Sequence, residues 1–410
     1  MPADNAQPFQ AGDVLELTVG EAVHGGWCVA RPDSDRAAGP GPAPVVFVRH
    51  ALPGELVRAV VTQTTARFAR ADAAEILRAS PDRVTAPCPY ARPGGCGGCD
   101  WQHASLTAQR AIKAQVISQQ LRRIAGLERS VTVEPVPGDA GGLGWRTRVR
   151  FAVGADGRAG LYRHRSHEIA PVNDCLIAHP LVTAAGVTRR SWPGARWVEV
   201  AVAPVADERA VVVSGQPAQP RFLTHRAAGR PWRVSATGFW QVHPGAADVL
   251  AEAVIAALRP RPGETAIDVF CGAGLFAGVL AQAVGPDGAV IGVEHDAAAA
   301  RDARHNLRQM PWARVHQGDA AQVLRRTGLG DAAISVLDPP RTGADRSLID
   351  ALCAGALRRI AYVSCDPATL ARDIAVFGGH GWGLEALRGF DAFPMTHHVE
   401  CLAVLVPPAG

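Results

Sequence analysis

At 410 residues the chain exceeds what one hydrophobic core usually fills, so two or three domains are expected. With 48% hydrophobic and 20% charged residues it reads as globular, and no apolar run is long enough to span a bilayer. A formal charge of +4 does not by itself call for a polyanionic partner, and with Lys113 the single lysine beside 41 Arg, any phosphate argument rests on position rather than abundance. The start, Met1-Pro2-Ala3-Asp4-Asn5, has neither the basic nor the apolar region of an export signal, so a cytoplasmic protein with no membrane attachment is expected.

Residues 12–78 form the first expected unit. Val14–Val19 alternates in polarity, Pro44–Val48 is a compact apolar run, and Leu56–Val61 and Ala73–Leu77 complete a set of short strands separated by Gly and Pro. That pattern predicts a small closed β-barrel, with Gly39–Pro44 as a loop tip. Such barrels bind oligonucleotides, and equally often serve as docking or structural modules.

Cys88, Cys96 and Cys99 come next, with Cys175 further on. Nine cysteines in a chain without an export signal do not suggest a disulfide framework, whereas four thiolates with glycines packed round them suggest a metal. Zinc is the commoner occupant of a four-cysteine site and an iron–sulfur cluster the alternative.

A helix is predicted from about 105 to 124, with Leu106, Ile112, Val116, Ile117, Leu121 and Ile124 along one face. Residues from about 130 to 235 mix short strands with Gly, Pro and Arg. There Arg146, Arg148 and Arg150 recur at strand period and, with Tyr162-Arg163-His164-Arg165, suggest a phosphate track beside aromatics. The bland alternative is a solvated strand face in an Arg-biased chain.

From about 236 onward strands and helices alternate: a helix near 246–258, strands near 265–270 and 289–293, a helix near 297–308, then strands near 313–316, 334–337, 359–364 and 401–406. This is the doubly wound α/β pattern, which places ligands at the carboxyl ends of its strands. Three such ends carry chemistry. The loop Phe270-Cys271-Gly272-Ala273-Gly274 turns tightly and exposes backbone to a ligand, and Glu294 closes the next strand where ribose hydroxyls would lie. Gly272-x-Gly274-x-x-Ala277 alone also fits a dinucleotide fingerprint. Asp268 and Asp319 favour S-adenosylmethionine, whose bound part has no pyrophosphate. Asp338-Pro339-Pro340 resembles the acidic or amide Pro-Pro edge of amino-methylases, and a structural Pro-Pro turn is its rival.

Cys365, in Ser364-Cys365-Asp366-Pro367, stands at the third strand end. A buried small hydrophobe is the bland reading, and the better one for Cys353 and Cys401. Position suggests a nucleophile: a thiolate added to C6 of uracil makes C5 reactive toward a methyl sulfonium. The C5 proton then needs a base, for which Glu400 in Thr396-His397-His398-Val399-Glu400 is the candidate, with capping or ion pairing as its alternatives.

Together these residues resemble the RNA uracil-5-methyltransferases, in particular the iron–sulfur branch that modifies 23S ribosomal RNA. The resemblance spans nearly the whole chain. It implies an α/β Rossmann-like class I methyltransferase domain at 236–410, a mixed α+β central iron–sulfur and RNA-binding domain at 80–235, and a TRAM barrel, OB-like, at 1–79. It implies a [4Fe–4S] cluster on Cys88, Cys96, Cys99 and Cys175, and cofactor contacts from Gln241, Phe270, Gly272, Gly274, Glu294, Asp319 and Asp338. It assigns Cys365 as nucleophile and Glu400 as base. RNA is the implied partner, ribosomal before transfer RNA, and no protein partner is implied. The chain departs from the family in a longer Cys88–Cys96 gap, in Leu275 where a polar residue is common, and in a Pro/Gly-rich insertion at 31–44. Two rival classes stand beside this reading, an amino-methyltransferase and a non-catalytic RNA-binding factor.

Overall fold

The structure, a computed structural model, describes residues 9–32 and 44–408; most of the 31–44 insertion lies outside the described residues. Two compact units are present. One comprises residues 1–116, 160–172 and 394–397, the other 117–159, 173–393 and 398–410.

The first unit opens with strands β1 (Val14–Val23), β2 (Trp27–Arg31), β3 (Val45–Arg49), β4 (Leu56–Thr64) and β5 (Phe68–Arg78). They close into a barrel in the order β1-β2-β3-β5-β4, which leaves no unpaired strand edge. Alternation sets the faces: Leu15, Leu17 and Val19 point inward, while Val14, Glu16 and Thr18 face out. The β3–β4 turn is fastened by Glu55, which is fully buried. Its carboxylate accepts hydrogen bonds from the Leu52 and Ser80 amides and is paired with Arg83. Trp101, Ala104, Ala108 and Ile112 pack on the barrel core.

Helix α1 (Leu106–Gln120) runs on into a single π-turn at Leu121–Ala125, ended by Gly126 in the left-handed region. Then follow β6 (Val133–Pro135), β7 (Arg148–Val153), β8 (Ala159–Tyr162), β9 (Ile169–Ala170), the short α2 (Pro180–Thr183), β10 (Trp197–Ala203), β11 (Glu208–Val213), β12 (Phe222–Ala227) and β13 (Arg230–Ser235). In the second unit β10 lies between β7 and β11, antiparallel to both. This arrangement gives two residues of the expected Arg track a shared partner inside the protein. Arg148 donates to Glu199 at 2.6 Å and to the carbonyls of Ala236 and Gly238, and Arg150 donates to Glu199 at 2.9 Å and lies over Trp197.

Next come α3 (Ala246–Leu258), β14 (Thr265–Val269), α4 (Leu275–Val284), β15 (Ala289–Glu294), α5 (Ala297–Asn306), β16 (Ala313–Gln317) and α6 (Ala320–Thr327). The chain ends with β17 (Ala332–Leu337), α7 (Arg346–Cys353), β18 (Arg359–Ser364), α8 (Pro367–Gly379), β19 (Gly383–Asp391) and β20 (Glu400–Val406). The sheet order is β16-β15-β14-β17-β18-β20-β19-β6, with β14 to β18 parallel and β20 antiparallel to both neighbours. With the OB-like barrel of the first unit, this is the expected Rossmann-like class I methyltransferase fold. Its central strands are continuous apolar runs because helices cover both faces. Trp232, fully buried, packs in that core and donates its indole N–H to the Ala227 carbonyl.

The order reverses between β14 and β17. The chain leaves β14 toward β15 and β16, then returns to lay β17 on the other side. A crevice opens at the carboxyl ends of such a pair of strands, where this fold class binds ligands. No helix among the described residues is long and apolar enough to cross a membrane.

Candidate active site

The crevice is lined first by the turn after β14. Phe270 has φ +68°, Gly272 φ +54° and Gly274 φ +93°. A Cβ at Gly272 would meet nothing, so the backbone is open there, whereas at Gly274 it would press on Ala303 of α5. The turn is tied down from three sides: Cys271 N–H donates to the Val293 carbonyl, Gly272 N–H to Glu294, and Ala277 N–H to Asp268 at 2.6 Å. Glu294 also accepts from Asp296 N–H, so part of its carboxylate is already committed to backbone.

Asp268 is fully buried, and its Oδ1 has no hydrogen-bond partner. Burial pushes this carboxyl well above the ordinary range, and the charges of Asp338 and Glu294 add to the effect. Three carboxyl groups thus share one corner of the crevice. Such a corner suits a cationic methyl donor with ribose hydroxyls and a free ammonium, so the residues present fit S-adenosylmethionine. Gln241 is buried in the segment after Trp240, whose ring stacks on His225 at 5.0 Å; the next carbonyl, of Val242, accepts both the N–H and the hydroxyl of Thr147. Asp319 is placed differently: it caps α6 by accepting from Gln322 N–H at 2.9 Å.

On the other side of the crevice Asp338 follows β17, its N–H directed to the Val269 carbonyl at 3.3 Å. The loop behind it is held by residues that sequence reasoning did not single out. Asp373 on α8 accepts from the Ala344 amide and from the Tyr362 hydroxyl, and Arg372 donates to the Thr342 carbonyl. Gly343 (φ +79°) has no room for a side chain, since a Cβ would fall within 2.5 Å of both Arg372 and Asp373. This bracing positions Arg341, which lies 3.4 Å from His398 and whose positive charge draws the Cys365 thiol down.

Cys365 leaves β18 at the same edge, half-buried. The register pairs Ser364 with Cys401, so Cys365 and Glu400 stand next to one another at the ends of adjacent strands. Asp366 turns its carboxylate onto the first amides of α8, Ala368 and Thr369, and so serves as that helix's cap. Glu400 is 3% exposed. Burial, then the charge of Asp338, raises its carboxyl well above the ordinary range, with Arg341 opposing. Asp338 is raised in the same sense by burial. Burial and then the Glu400 charge push the Cys365 thiol up to about 11, against the pull of Arg341.

The sign of that shift gives an expected result. A raised thiol pKa keeps Cys365 protonated near neutrality, so its alkylation by iodoacetamide should be slow there. The rate should rise about tenfold per pH unit toward about pH 10, because only the thiolate reacts. Peptide mass spectrometry after timed quenching reads this directly, and a plateau near the ordinary thiol value of about 8.5 would contradict it.

The segment that leads to Glu400 is gripped within the first unit. Met395 (φ +68°) offers its carbonyl to the amides of Asp100 and Trp101, and its N–H donates to Gln109 Oε1 at 2.7 Å. His397 Nδ1 lies 2.6 Å from Asp100 Oδ2, which also accepts the His397 amide. Asp100 and Gln109 are therefore positioning residues that sequence reasoning missed; both are remote along the chain and belong to no motif.

The cysteine expectation is corrected. Among the described residues no group of three or more His, Cys, Asp or Glu side chains is placed to hold a metal ion, so neither a [4Fe–4S] cluster nor zinc is supported on Cys88, Cys96, Cys99 and Cys175. Cys175 belongs to the second unit, the other three to the first. The glycines between them serve the polypeptide's own packing. A Cβ on Gly95 would strike the Tyr90 carbonyl, and one on Gly97 the backbone of His164. Cys99 Sγ accepts from the Gln102 amide at 3.2 Å, and Gln102 in turn accepts from Cys88 N–H.

Known proteins resemble this chain in sequence and in fold. The family described as tRNA (Uracil-5-)-methyltransferase matches residues 327–407, and a general methyltransferase domain matches 260–336. An uncharacterized RNA methyltransferase of Streptomyces avermitilis is 47% identical, over 97% of this chain and 99% of its own length. The 23S rRNA (uracil(1939)-C(5))-methyltransferase of Pseudomonas putida is 32% identical over 87% of this chain and 88% of its own. Among solved structures, the tRNA (uracil-54, C5)-methyltransferase of Pyrococcus abyssi superposes with a TM-score of 0.72, covering 95% of this chain and 99% of that one; at 21% identity it attests the fold. On sequence likeness over almost its full length, this chain is an enzyme belonging to the RNA (uracil-5-)-methyltransferase family.

Proposed function

We propose that this enzyme methylates C5 of a uridine in 23S ribosomal RNA through a covalent adduct on Cys365. The observation that carries the reading is the convergence of Cys365, Glu400, Arg341 and Asp338 beside the glycine turn at the switch point. S-adenosylmethionine supplies an electrophilic methyl group. Arg341 stabilises the Cys365 thiolate, which adds to C6 of uracil and leaves an enolate whose C5 carries the electron pair. C5 takes the methyl group, and S-adenosylhomocysteine leaves. The Glu400 carboxylate then removes the C5 proton, and the electron pair of that C–H bond expels the thiolate from C6.

Gln241, Phe270, Gly272, Gly274, Glu294, Asp319 and Asp338 are read as the cofactor-binding set, and the acidic corner as the part that selects a cation. The barrel within 1–79 is read as a TRAM-type RNA module, 80–235 as a central RNA-binding domain and 236–410 as the methyltransferase domain, in a cytoplasmic enzyme. Ribosomal RNA is preferred because the relative from Pseudomonas putida carries that substrate in its name. Transfer RNA is the second reading, favoured by the description of the family matching 327–407.

The test is incubation of the purified chain and S-adenosylmethionine with unmodified ribosomal or transfer RNA, followed by nucleoside mass spectrometry. 5-Methyluridine in the ribosomal fraction alone is expected. The same product in transfer RNA alone selects the second reading, and a methyl group on nitrogen overturns both.

A further inference from the structure

We infer that Arg70 and Arg165, set on the indole of Trp27, form a phosphate-binding site for the backbone of single-stranded RNA. The inference rests on the chain's being an RNA methyltransferase, and it concerns a surface of the first unit that the reaction above does not use. Trp27 opens β2 and is 6% exposed, so its ring is a floor rather than a stacking face. Three guanidinium carbons surround that one ring: Arg49 at 5.9 Å, Arg165 at 5.8 Å and Arg70 at 5.6 Å from its centroid. His164 closes a fourth side, edge-on at 5.4 Å.

One cation over an indole is an ordinary structural contact. Three cations repel one another, and such a cluster persists where an anion is to be received. Among the described residues only Arg49 has a carboxylate, Asp100 at 3.4 Å, and that group is shared with His397. Arg70 donates to Gln63 and Arg165 reaches outward from the β8–β9 turn with φ +49°. Among the described residues neither has a carboxylate within ion-pair reach. Burial and then the charge of Arg165 draw the Arg70 guanidinium below its ordinary range. Tyr162, 51% exposed at the end of β8, offers a ring on which a base can stack. A chain phosphate with a neighbouring base matches this set better than a carboxylate, which would leave the tyrosine unused.

The test uses the 410-residue chain and a fluorescein-labelled oligouridylate, with affinity measured by anisotropy across a salt series. For single strands each neutralised phosphate contributes about 0.7 to the slope of log affinity against log salt. Arg70→Gln and Arg165→Gln should each lower that slope by about this amount, and Arg70→Lys should keep it. Arg58→Gln, on the same barrel but already ion-paired with Glu75, should leave it unchanged. Matching thermal melts show that each variant is folded.

Unchanged slopes in the Arg70 and Arg165 variants overturn the site. An equal loss in Arg58→Gln overturns it too, since general charge then explains the binding. Competition by inorganic phosphate as effective as by oligouridylate would reassign the site to a free anion, and equal competition by polyglutamate would reassign it to an acidic protein. The site and the reaction fail separately. A wild type that binds with the full slope but makes no 5-methyluridine refutes the reaction alone; one that makes 5-methyluridine, with variants of unaltered slope, refutes the site alone.

Discussion

Replacing Cys365 with alanine is expected to abolish 5-methyluridine formation, a loss of at least about 10⁴-fold, or about 5.5 kcal/mol of barrier at 1.36 kcal/mol per decade. The size follows from the chemistry of the ring. Without a group on C6, C5 of uracil does not carry the electron density needed to displace a sulfonium. The binding of S-adenosylhomocysteine, measured by calorimetry, should change little, because the acidic corner formed by Asp268, Glu294 and Asp338 is untouched. A second readout separates chemistry from folding. Wild type should form a denaturation-resistant adduct with RNA containing 5-fluorouridine, since fluorine cannot leave C5 as a cation, and the alanine variant should form none. Cys353→Ala, at a half-buried thiol on α7, is the matched control and should retain both behaviours. Full methylation by Cys365→Ala, with the methyl group on nitrogen, would return the chain to the amino-methylase reading.

Glu400→Gln should fail later in the sequence of events and look different. Addition and methyl transfer need no base at C5, so the covalent species should accumulate on ordinary uridine and not only on the fluorinated analogue. Turnover should fall by about 10²–10⁴-fold, the usual worth of a positioned base. The adduct is read by denaturing electrophoresis with labelled RNA. If the variant turned over slowly with no trapped species, Glu400 would act before addition, for instance on the Cys365 thiol beside it. The raised pKa values of both groups make that contrast informative: burial raises both, the Asp338 charge adds to the rise at Glu400, and an ionised Glu400 raises Cys365 further, so the two cannot both ionise at little cost.

Much of this was legible in the sequence because the elements concerned obey local rules. Strands β14, β15, β17 and β18 are short and mostly apolar, as buried parallel strands must be, and the residues at their ends fall at the crevice once the order is known. The barrel strands β1, β3, β4 and β5 showed alternation or apolar runs, whereas β2 was overlooked: five residues beginning at a Trp just after Gly25-Gly26 carry too little pattern. β19 was missed because Glu385, Arg388 and Gly389 interrupt any regular alternation, and β6 because three residues have no period at all. The cap role of Asp319 was visible in principle, since an Asp followed three positions later by a Gln is an N-terminal helix signal.

Where reading failed, distant partners decided. Arg148 and Arg150 looked like one solvated or phosphate-facing row, but both donate to Glu199, on β10. Cys88, Cys96 and Cys99 sat among glycines whose spacing looks the same whether a chain wraps a metal or wraps itself; the contacts of Gly95 and Gly97 with Tyr90 and His164 make it the latter. Asp100 and Gln109 hold His397 and Met395 from 297 and 286 positions away, and Asp373 holds Ala344 from α8, so no motif announces them.

The grip on residues 394–397 bears on how such a gene can be cut and recombined. Backbone and side-chain partners 286 and 297 positions upstream hold the turn that delivers Glu400 to the end of β20. A fragment beginning after residue 116 would keep every strand of the large sheet and every residue of the crevice, yet Met395 and His397 would have lost the groups that hold their backbone. The amino-terminal third is thus not a detachable adaptor. Lineages that exchange or discard it must also rebuild the approach to the final strand.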